Sequence, residues 1–386
     1  MNGARIIAFL VAAGVGWAVW RADRESPATG ASCLDAAPAR RDTPVVTPPV
    51  TTRPREATRP RLRGLPSPDP PYHGMAIQVY SADNVVARYG QMIREIAELG
   101  ADTVLFSLDG FQKHVESTDI RTDPKRTPTD DEWLELFDLA HNQGLRIVLM
   151  PKILLSDPRG NEWRGKIQPT SWDAWFDAYR RLVVHYATLA ERGHVEVFIV
   201  GSELVSTEKM TDEWRRVIAE VRDCYHGRLS YSANWDHYRG IQFWGDLDLI
   251  GMTSYHRLSD NPGPSLEDLR KSWVPIKRRI LEWQAGVGKP LLFTEAGWCS
   301  QEGCSVEAWN YYRQEKATPA GMREQADCYQ AFIEAWSDEP AVGGILWWEW
   351  SYEARGELDY GYTPKGKPAE RLLRDFFRRQ GQATER

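Results

Sequence analysis

The chain has 386 residues, of which 42% are hydrophobic and 26% are charged, and its net charge is −6 at pH 7. These proportions are ordinary for a soluble globular protein and exclude a multi-span membrane protein and a fully disordered chain. The negative net charge argues against a general nucleic-acid binder, because such a protein needs a surplus of Lys and Arg.

The N-terminal segment 1–25 contains one apolar run, residues 6–20, between Arg5 and Arg21. This run is short for a membrane span and typical of the apolar part of a signal peptide. No clean cleavage site follows it, so an uncleaved membrane anchor is slightly favoured over a cleaved signal. Either way we expect an exported protein, membrane-anchored or secreted (periplasmic or extracellular), that meets a membrane only through this segment.

Residues 26–72 contain 11 of the 24 prolines in the chain. Proline joins neither the interior of a helix nor the hydrogen-bond ladder of a sheet, so this composition predicts an extended, disordered linker.

Residues 73–386 repeat one pattern, in which a short apolar run rich in β-branched residues precedes a stretch with helical spacing. The eight runs are 74–80, 103–108, 146–155, 195–200, 229–233, 247–254, 290–294 and 342–348. The helical stretches include 84–99, 172–190, 214–221, 266–283 and a closing helix at 371–380.

Eight alternating strand and helix units predict one α/β domain with a (β/α)8 (TIM) barrel fold. The alternative is a doubly wound sheet. It usually requires a Gly-rich phosphate turn after its first strand, and residues 79–82 do not form one.

The functional residues of a (β/α)8 barrel lie at the C-terminal ends of its strands. Glu203 and Glu295 stand at two such ends, after the apolar runs 197–200 and 291–294. A carboxylate there would be buried, which is costly unless it is paired or protonated. Two facing carboxyl groups are what glycoside hydrolysis requires, because one protonates the leaving oxygen while the other attacks the anomeric carbon or activates water. A structural role, as a helix cap or an ion-pair partner, could explain one of these glutamates. It explains less well why both stand at strand ends.

The 17 tryptophans suit the same chemistry, because the apolar face of a sugar stacks on an aromatic ring. Trp235, Trp298, Trp347 and Trp348 are candidates for this platform, although each alone is more typical of a core position than of a sugar contact. Trp347 and Trp348 point to opposite faces of their strand, so we expect one of them to face the barrel axis.

The other polar residues at strand ends are each consistent with two roles. Asp109 and Lys152 either bind sugar hydroxyls or pair with each other, and Asn234 is a sugar-binding candidate. We expect His256 and Glu349 to face outward.

The five cysteines are an odd number, which does not suit a complete disulfide framework. Cys299 and Cys304 are close enough in sequence to pair in an exported protein, and free thiols are equally consistent with the sequence. No His or Cys cluster with ligand spacing lies nearby, so we expect neither a metal site nor a cofactor.

Five stretches of the sequence together resemble glycoside hydrolase family 113, whose characterised members are endo-β-1,4-mannanases. They are 163–165 (WRG), 172–186 (WDAWFDAYRRLVVHY), 198–204 (FIVGSEL), 294–298 (TEAGW) and 343–350 (GGILWWEW). The resemblance implies a barrel with the acid/base on its fourth strand and the nucleophile on its seventh.

This resemblance implies roles for particular residues. Glu203 would be the general acid/base and Glu295 the nucleophile, while Tyr255 would hydrogen-bond Glu295. Either Trp347 or Trp348 would form the floor of the subsite for the reacting sugar. Beyond these roles, the sequence offers Trp163, Asn234, Trp235, Trp298, Asp109 and Lys152 as further candidate sugar-binding residues.

Two positions depart from the wider pattern. Ser202 precedes the acid/base where many members of the clan have Asn, although family 113 tends to have a small polar residue there. The third strand reads Pro151-Lys152-Ile153, whereas the family tends to end it with Lys-Pro-His.

These observations predict a retaining β-glycosidase, endo-acting on β-1,4-mannan or a related polysaccharide and active as a monomer. Its two carboxyl groups would lie about 5–5.5 Å apart, whereas an inverting enzyme would separate them by about 6.5–9.5 Å. We expect burial and the charge of Glu295 to keep Glu203 protonated near neutral pH. The alternative is a catalytically inactive barrel that binds envelope polysaccharide.

Overall fold

The computed structural model describes residues 71–384. The predictions for segments 1–25 and 26–72 fall outside these residues, except that Tyr72 already begins the first strand. Between residues 71 and 384, none of the helices has the length and apolar character needed to cross a bilayer.

Eight parallel strands close into a barrel in sequence order, which confirms the predicted (β/α)8 fold. The strands are β1 Tyr72–Val79, β2 Thr103–Gln112, β3 Arg146–Leu155, β4 Val197–Ser202, β5 Arg228–Ala233, β6 Ile250–Thr253, β7 Leu291–Ala296 and β8 Val342–Trp347. Nearly all of their residues are buried, because the helices cover the outer face while side chains fill the interior.

Seven α-helices surround the barrel in the described residues. They are α1 Val85–Leu99, α2 Asp130–Asn142, α3 Trp172–Arg192, α4 Thr211–Cys224, α5 Leu266–Val287, α6 Pro319–Trp336 and α7 Pro368–Thr384. The expectation of eight complete units is wrong in one place. Two short 3-10 turns, Tyr238–Gly240 and Trp244–Asp246, connect β5 to β6 where a helix was expected.

Aromatic side chains from α3, α4 and β5 hold the C-terminal end of β4 in place. The Tyr179 hydroxyl on α3 donates to the Val200 carbonyl at 2.7 Å, and the Tyr231 hydroxyl accepts from the Leu204 amide at 2.9 Å. Trp214 on α4 packs edge-on against both tyrosine rings. These contacts hold the backbone on both sides of Glu203.

Three of the strand pairs change register near the mouth of the barrel. The shifts occur between β4 and β5, between β6 and β7 beside Thr253, and between β7 and β8 before Trp347. A register irregularity re-aims the side chains that follow it. The strands that present Glu203 and Glu295, β4 and β7, are therefore among the irregular ones.

Candidate active site

Glu203 lies immediately after β4 in a left-handed backbone conformation, with φ of 51°. Its amide donates to the Ser232 carbonyl of β5 at 2.8 Å, which ties this turn to the neighbouring strand. The side chain is only 1% exposed and meets two partners. Arg164 donates to Oε2 at 2.5 Å, and the Thr253 hydroxyl donates to Oε1 at 3.3 Å.

Arg164 reaches the site from a short 3-10 turn, Arg164–Lys166, in the connection after β3. The absence of a side chain at Gly165 shapes this turn, because a Cβ there would lie 2.2 Å from the ring of Trp163. Trp163 therefore folds back over Gly165 and stays partly exposed, while Arg164 is directed inward and is 3% exposed.

Glu295 lies within β7, and its carboxyl group is also buried. The Tyr255 hydroxyl donates to Oε2 at 2.8 Å, which is the hydrogen bond that the resemblance implied. Oε1 has no hydrogen-bond partner. Burial, together with the negative charge of Glu203, raises the pKa of Glu295 to about 7, although Lys152 and Arg164 act in the opposite direction.

Thr253 connects the two glutamates. It pairs with Glu295 in the β6–β7 register, and its hydroxyl donates to Glu203 and accepts from the Trp235 amide at 3.1 Å. The carboxyl groups also influence each other electrostatically. Strands β4 and β7 therefore direct both side chains into one mouth, as the strand-end argument predicted.

A second polar group lies in the mouth on the side of β1, β2, β3 and β8. Lys152 is fully buried and donates to Gln78 Oε1 at 3.1 Å, while Gln78 donates to Glu349 Oε2 at 2.6 Å. Lys152 Nζ also lies 3.9 Å from Asp109 Oδ1 and 4.8 Å from the centre of the Trp348 ring. Asp109 and Lys152 thus form an ion pair, yet Asp109 Oδ1 still lacks a hydrogen-bond partner.

Burial shifts the pKa values in this second group towards the neutral forms. It raises the pKa of Asp109 and lowers that of Lys152, although each opposes the shift of the other. It also raises the pKa of Glu349 to about 7. The expectation that Glu349 faces outward is therefore wrong, because its carboxyl reaches Gln78 in the mouth. His256 does face the helix layer as expected, packing against Trp273 of α5.

The structure corrects the assignment of two tryptophans to sugar binding. Trp298 packs against Tyr329 and Phe332 of α6, and Trp347 stacks on Tyr329 at 4.8 Å. Both rings are fully buried between the barrel and the helices, so neither offers a face to a sugar. Trp348 is the member of the pair that borders the mouth, through its contact with Lys152.

Asn234 and Trp235 lie at the end of β5, beside the glutamates. Asn234 is buried and its Oδ1 has no hydrogen-bond partner, so a sugar hydroxyl can donate to it. Trp235 is partly exposed and packs edge-on against His256. Both positions remain consistent with the predicted sugar contacts.

Three contributors to the site were not predicted from the sequence. Gln78 ends the first apolar run, so the strand-end rule points to it without indicating its partner. Thr253 was hidden inside an apolar run. Arg164 lies far from any strand end in the sequence, and only the folded connection brings it to Glu203.

The four cysteines within residues 71–384 are free thiols, so Cys299 and Cys304 do not form the disulfide that the sequence left open. That part of the chain also contains no group of three His, Cys, Asp or Glu side chains that could hold a metal ion.

Two buried glutamates at the ends of β4 and β7 define a barrel of the glycoside hydrolase class, and comparison with known proteins gives the family. Residues 84–367 match the sequence model of Glycoside Hydrolase Family 113. Since this match spans well over half of the chain, the protein belongs to that family and is a glycoside hydrolase. The comparison with curated protein sequences gives no significant match.

Solved structures agree with this assignment. A GH113 β-1,4-mannanase has a TM-score of 0.70 and 27% identity, covering 80% of this chain and 99% of that chain. The GH113 β-mannanase AaManA from Alicyclobacillus acidocaldarius, in complex with ManMIm, has a TM-score of 0.71 and 29% identity, covering 80% and 98%. A β-glucuronidase from Faecalibacterium prausnitzii, at 12% identity and a TM-score of 0.54, covers 80% of this chain and 49% of that chain and shares only the fold.

The raised pKa of Glu295 predicts that its effect on the free energy of unfolding depends on pH. Its pKa rises from an ordinary 4.5 to about 7, so the stability it contributes is present below about pH 4.5 and is lost as the pH rises through 7. The variant Glu295→Gln is neutral at every pH. We expect it to be more stable than the wild type by roughly 1–3 kcal/mol at pH 8 and about equally stable at pH 4.5.

Urea unfolding at the two pH values measures this difference. Glu357→Gln is the matched control, because it removes a carboxylate from an exposed position in the connection between β8 and α7. A stability difference for Glu295→Gln that does not change with pH would contradict the assignment of the raised pKa to this residue.

Proposed function

We propose that this glycoside hydrolase is a retaining enzyme that cleaves within β-1,4-mannan or a related polysaccharide. Glu203 is the general acid/base and Glu295 is the nucleophile. The observation that most supports these roles is the pair of buried glutamates that share one mouth, with Glu295 held by the Tyr255 hydroxyl at 2.8 Å.

In the first step, Glu295 attacks the anomeric carbon while Glu203 gives its proton to the departing glycosidic oxygen. The hydrogen bond from Tyr255 fixes the attacking carboxylate and leaves its other oxygen, Oε1, without a protein partner. That oxygen is therefore free to form the bond to the sugar.

In the second step, Glu203 takes a proton from water, which attacks the covalent glycosyl-enzyme and releases Glu295. The charge of Glu295 is absent while it is esterified. Because that charge favours a protonated neighbour, its loss favours the ionised form of Glu203, which is the form that can accept the proton from water.

The choice of mannan is supported by the solved family members, which are described as β-1,4-mannanases and share 27–29% identity with this chain. Asn234, Lys152 and Asp109 lie in the mouth with polar groups that suit sugar hydroxyls. Trp348 lies under Lys152 and supplies an aromatic face at the same side.

Endo action is supported by two aromatic side chains at the rim. Tyr80 follows β1 and Tyr352 lies beyond β8, and they are 39% and 38% exposed. Arg88 lies beside both, with its guanidinium 5.0 Å from the centre of the Tyr352 ring and its charge acting on Tyr80. Such exposed rings suit sugar units that extend beyond the cleaved bond.

The loss of Glu295 and the loss of Glu203 should have different kinetic signatures. We expect Glu295→Ala to reduce hydrolysis of mannan oligosaccharides by at least about 10³-fold, because no nucleophile remains. Glu203→Gln should retain more activity on an aryl glycoside with a good leaving group than on an oligosaccharide, because that leaving group needs no proton.

These variants are best assayed with β-1,4-linked mannan, glucomannan, xylan, cellulose and chitosan oligosaccharides, with NMR of the first-formed anomer. Glu208→Gln is the matched control: Glu208 is also buried just beyond β4, but it binds Tyr231 outside the mouth. Initial formation of the β-anomer supports retention, and the α-anomer would overturn it. Binding without cleavage of every sugar would favour the inactive, polysaccharide-binding barrel.

We also propose that the protein is exported, because the apolar run 6–20 has the length of a signal-peptide core. Cell fractionation of the full chain should place it outside the cytoplasm. The variant with Leu10→Arg and Val11→Arg, which interrupts the run, should stay inside. An identical distribution of both proteins would contradict export through this segment.

A further inference from the structure

Arg164 binds Glu203 in the empty site, yet neither step of hydrolysis described above uses it. The two side chains are 3% and 1% exposed, and Arg164 Nη2 lies 2.5 Å from Glu203 Oε2. Glu203 is the carboxylate that directly faces this guanidinium. Arg164 Nε has no hydrogen-bond partner.

This contact favours a charged Glu203. Arginine does not lose its proton in proteins, and a guanidinium–carboxylate hydrogen bond is strongest when both groups are charged. A protonated Glu203 would leave the buried cation of Arg164 without its close counter-charge, which is costly. General acid catalysis nevertheless requires a proton on Glu203.

Other charged groups surround Arg164 and Glu203 and affect which carboxyl group carries the proton. Those that influence Glu203 or Arg164 electrostatically are Glu295 on β7, Lys152 on β3, Asp109 on β2, Tyr255 after β6, His237 after β5 and Glu208 after β4. Unlike Glu203, Glu295 makes no direct contact with a cation, because its hydrogen-bond partner is the neutral Tyr255 hydroxyl. A single proton shared by the two glutamates is therefore placed on Glu295 at lower cost.

We propose that Arg164 is a positioning residue that holds Glu203 as a fixed carboxylate in the empty site, so that the proton needed for catalysis rests on Glu295 until substrate separates Arg164 from Glu203. This inference rests on the function proposed above. The entering sugar supplies hydroxyl oxygens that accept hydrogen bonds from Arg164. One proton then leaves Glu295 and one is taken up by Glu203, which produces the nucleophile and the acid together with no net change of charge.

Carbon-13 NMR of the full chain, labelled at glutamate carboxyl carbons, tests this order in the absence of any substrate. The resonances that disappear in Glu203→Gln and Glu295→Gln assign the two groups. In the empty wild-type protein we expect Glu203 to titrate at lower pH than Glu295. In Arg164→Gln we expect the titration midpoint of Glu203 to rise by roughly one pH unit or more.

Lys166→Gln is the matched control, because it removes an exposed cation from the same 3-10 turn and should leave both midpoints unchanged. Wild-type Glu203 titrating above Glu295 would overturn the proposal, and this result needs no folded Arg164 variant. An unchanged midpoint in a folded Arg164→Gln variant would overturn it as well.

The pH dependence of the kinetics distinguishes the proposed positioning role of Arg164 from a purely structural role. In Arg164→Gln the low-pH limb of the kcat/KM profile, which follows Glu203 in the proposed order, should move up by a similar amount, and Arg164→Lys should return it towards the wild-type position. A loss of kcat with unmoved limbs would contradict the proposal. Absence of hydrolysis in the wild type would instead refute the proposed function, while leaving the titration order measurable.

Discussion

Burying several carboxyl groups at one end of a barrel is costly, because each charge loses its hydration and repels its neighbours. Glu203, Glu295, Glu349 and Asp109 all lie in the mouth of this barrel. The protein meets this cost with two buried cations, Lys152 and Arg164, and with elevated pKa values at the carboxyl groups that are less directly paired.

The two cations serve different halves of the mouth. Lys152 lies among Asp109, Gln78 and Trp348, which are the polar and aromatic side chains proposed to contact the sugar. Arg164 binds Glu203, the proposed general acid/base. One cation thus supports a candidate sugar-binding surface, and the other bears on the protonation of the reacting groups.

The barrel and its two glutamates could be predicted from the sequence, because both depend on short-range patterns. Apolar runs give the strands, and the position just after a run gives the C-terminal end, where Glu203 and Glu295 lie. The absence of a helix between β5 and β6 had no comparable signal, because that connection buries the aromatic residues Tyr238 and Trp244 in two 3-10 turns.

The directions of individual side chains could not be predicted, because they depend on contacts between distant segments. Alternation along β8 required one of Trp347 and Trp348 to face the mouth, but the register shift between β7 and β8 decides which. Trp298 follows a carboxylate closely in sequence, yet its ring lies behind the strand against α6. Arg164 reaches Glu203 because Gly165 allows the chain to fold tightly past Trp163.

The expectation for the acid/base considered only burial and the charge of Glu295. It did not include Arg164, a cation that sequence spacing did not reveal, since Arg164 comes 39 positions before Glu203 and contacts it only in the folded barrel. Charge balance in a buried site therefore depends on every nearby group and not on the catalytic pair alone.

The central claim is that Glu295 forms a covalent bond to the sugar. Incubation with an activated, fluorinated β-mannoside that forms the glycosyl-enzyme quickly and releases it slowly, followed by mass analysis of the peptides, tests this claim directly. We predict one added sugar per chain, located on the peptide that contains Glu295. An adduct on Glu203 or Glu349, or rapid hydrolysis of this reagent with inversion and no adduct, would contradict it.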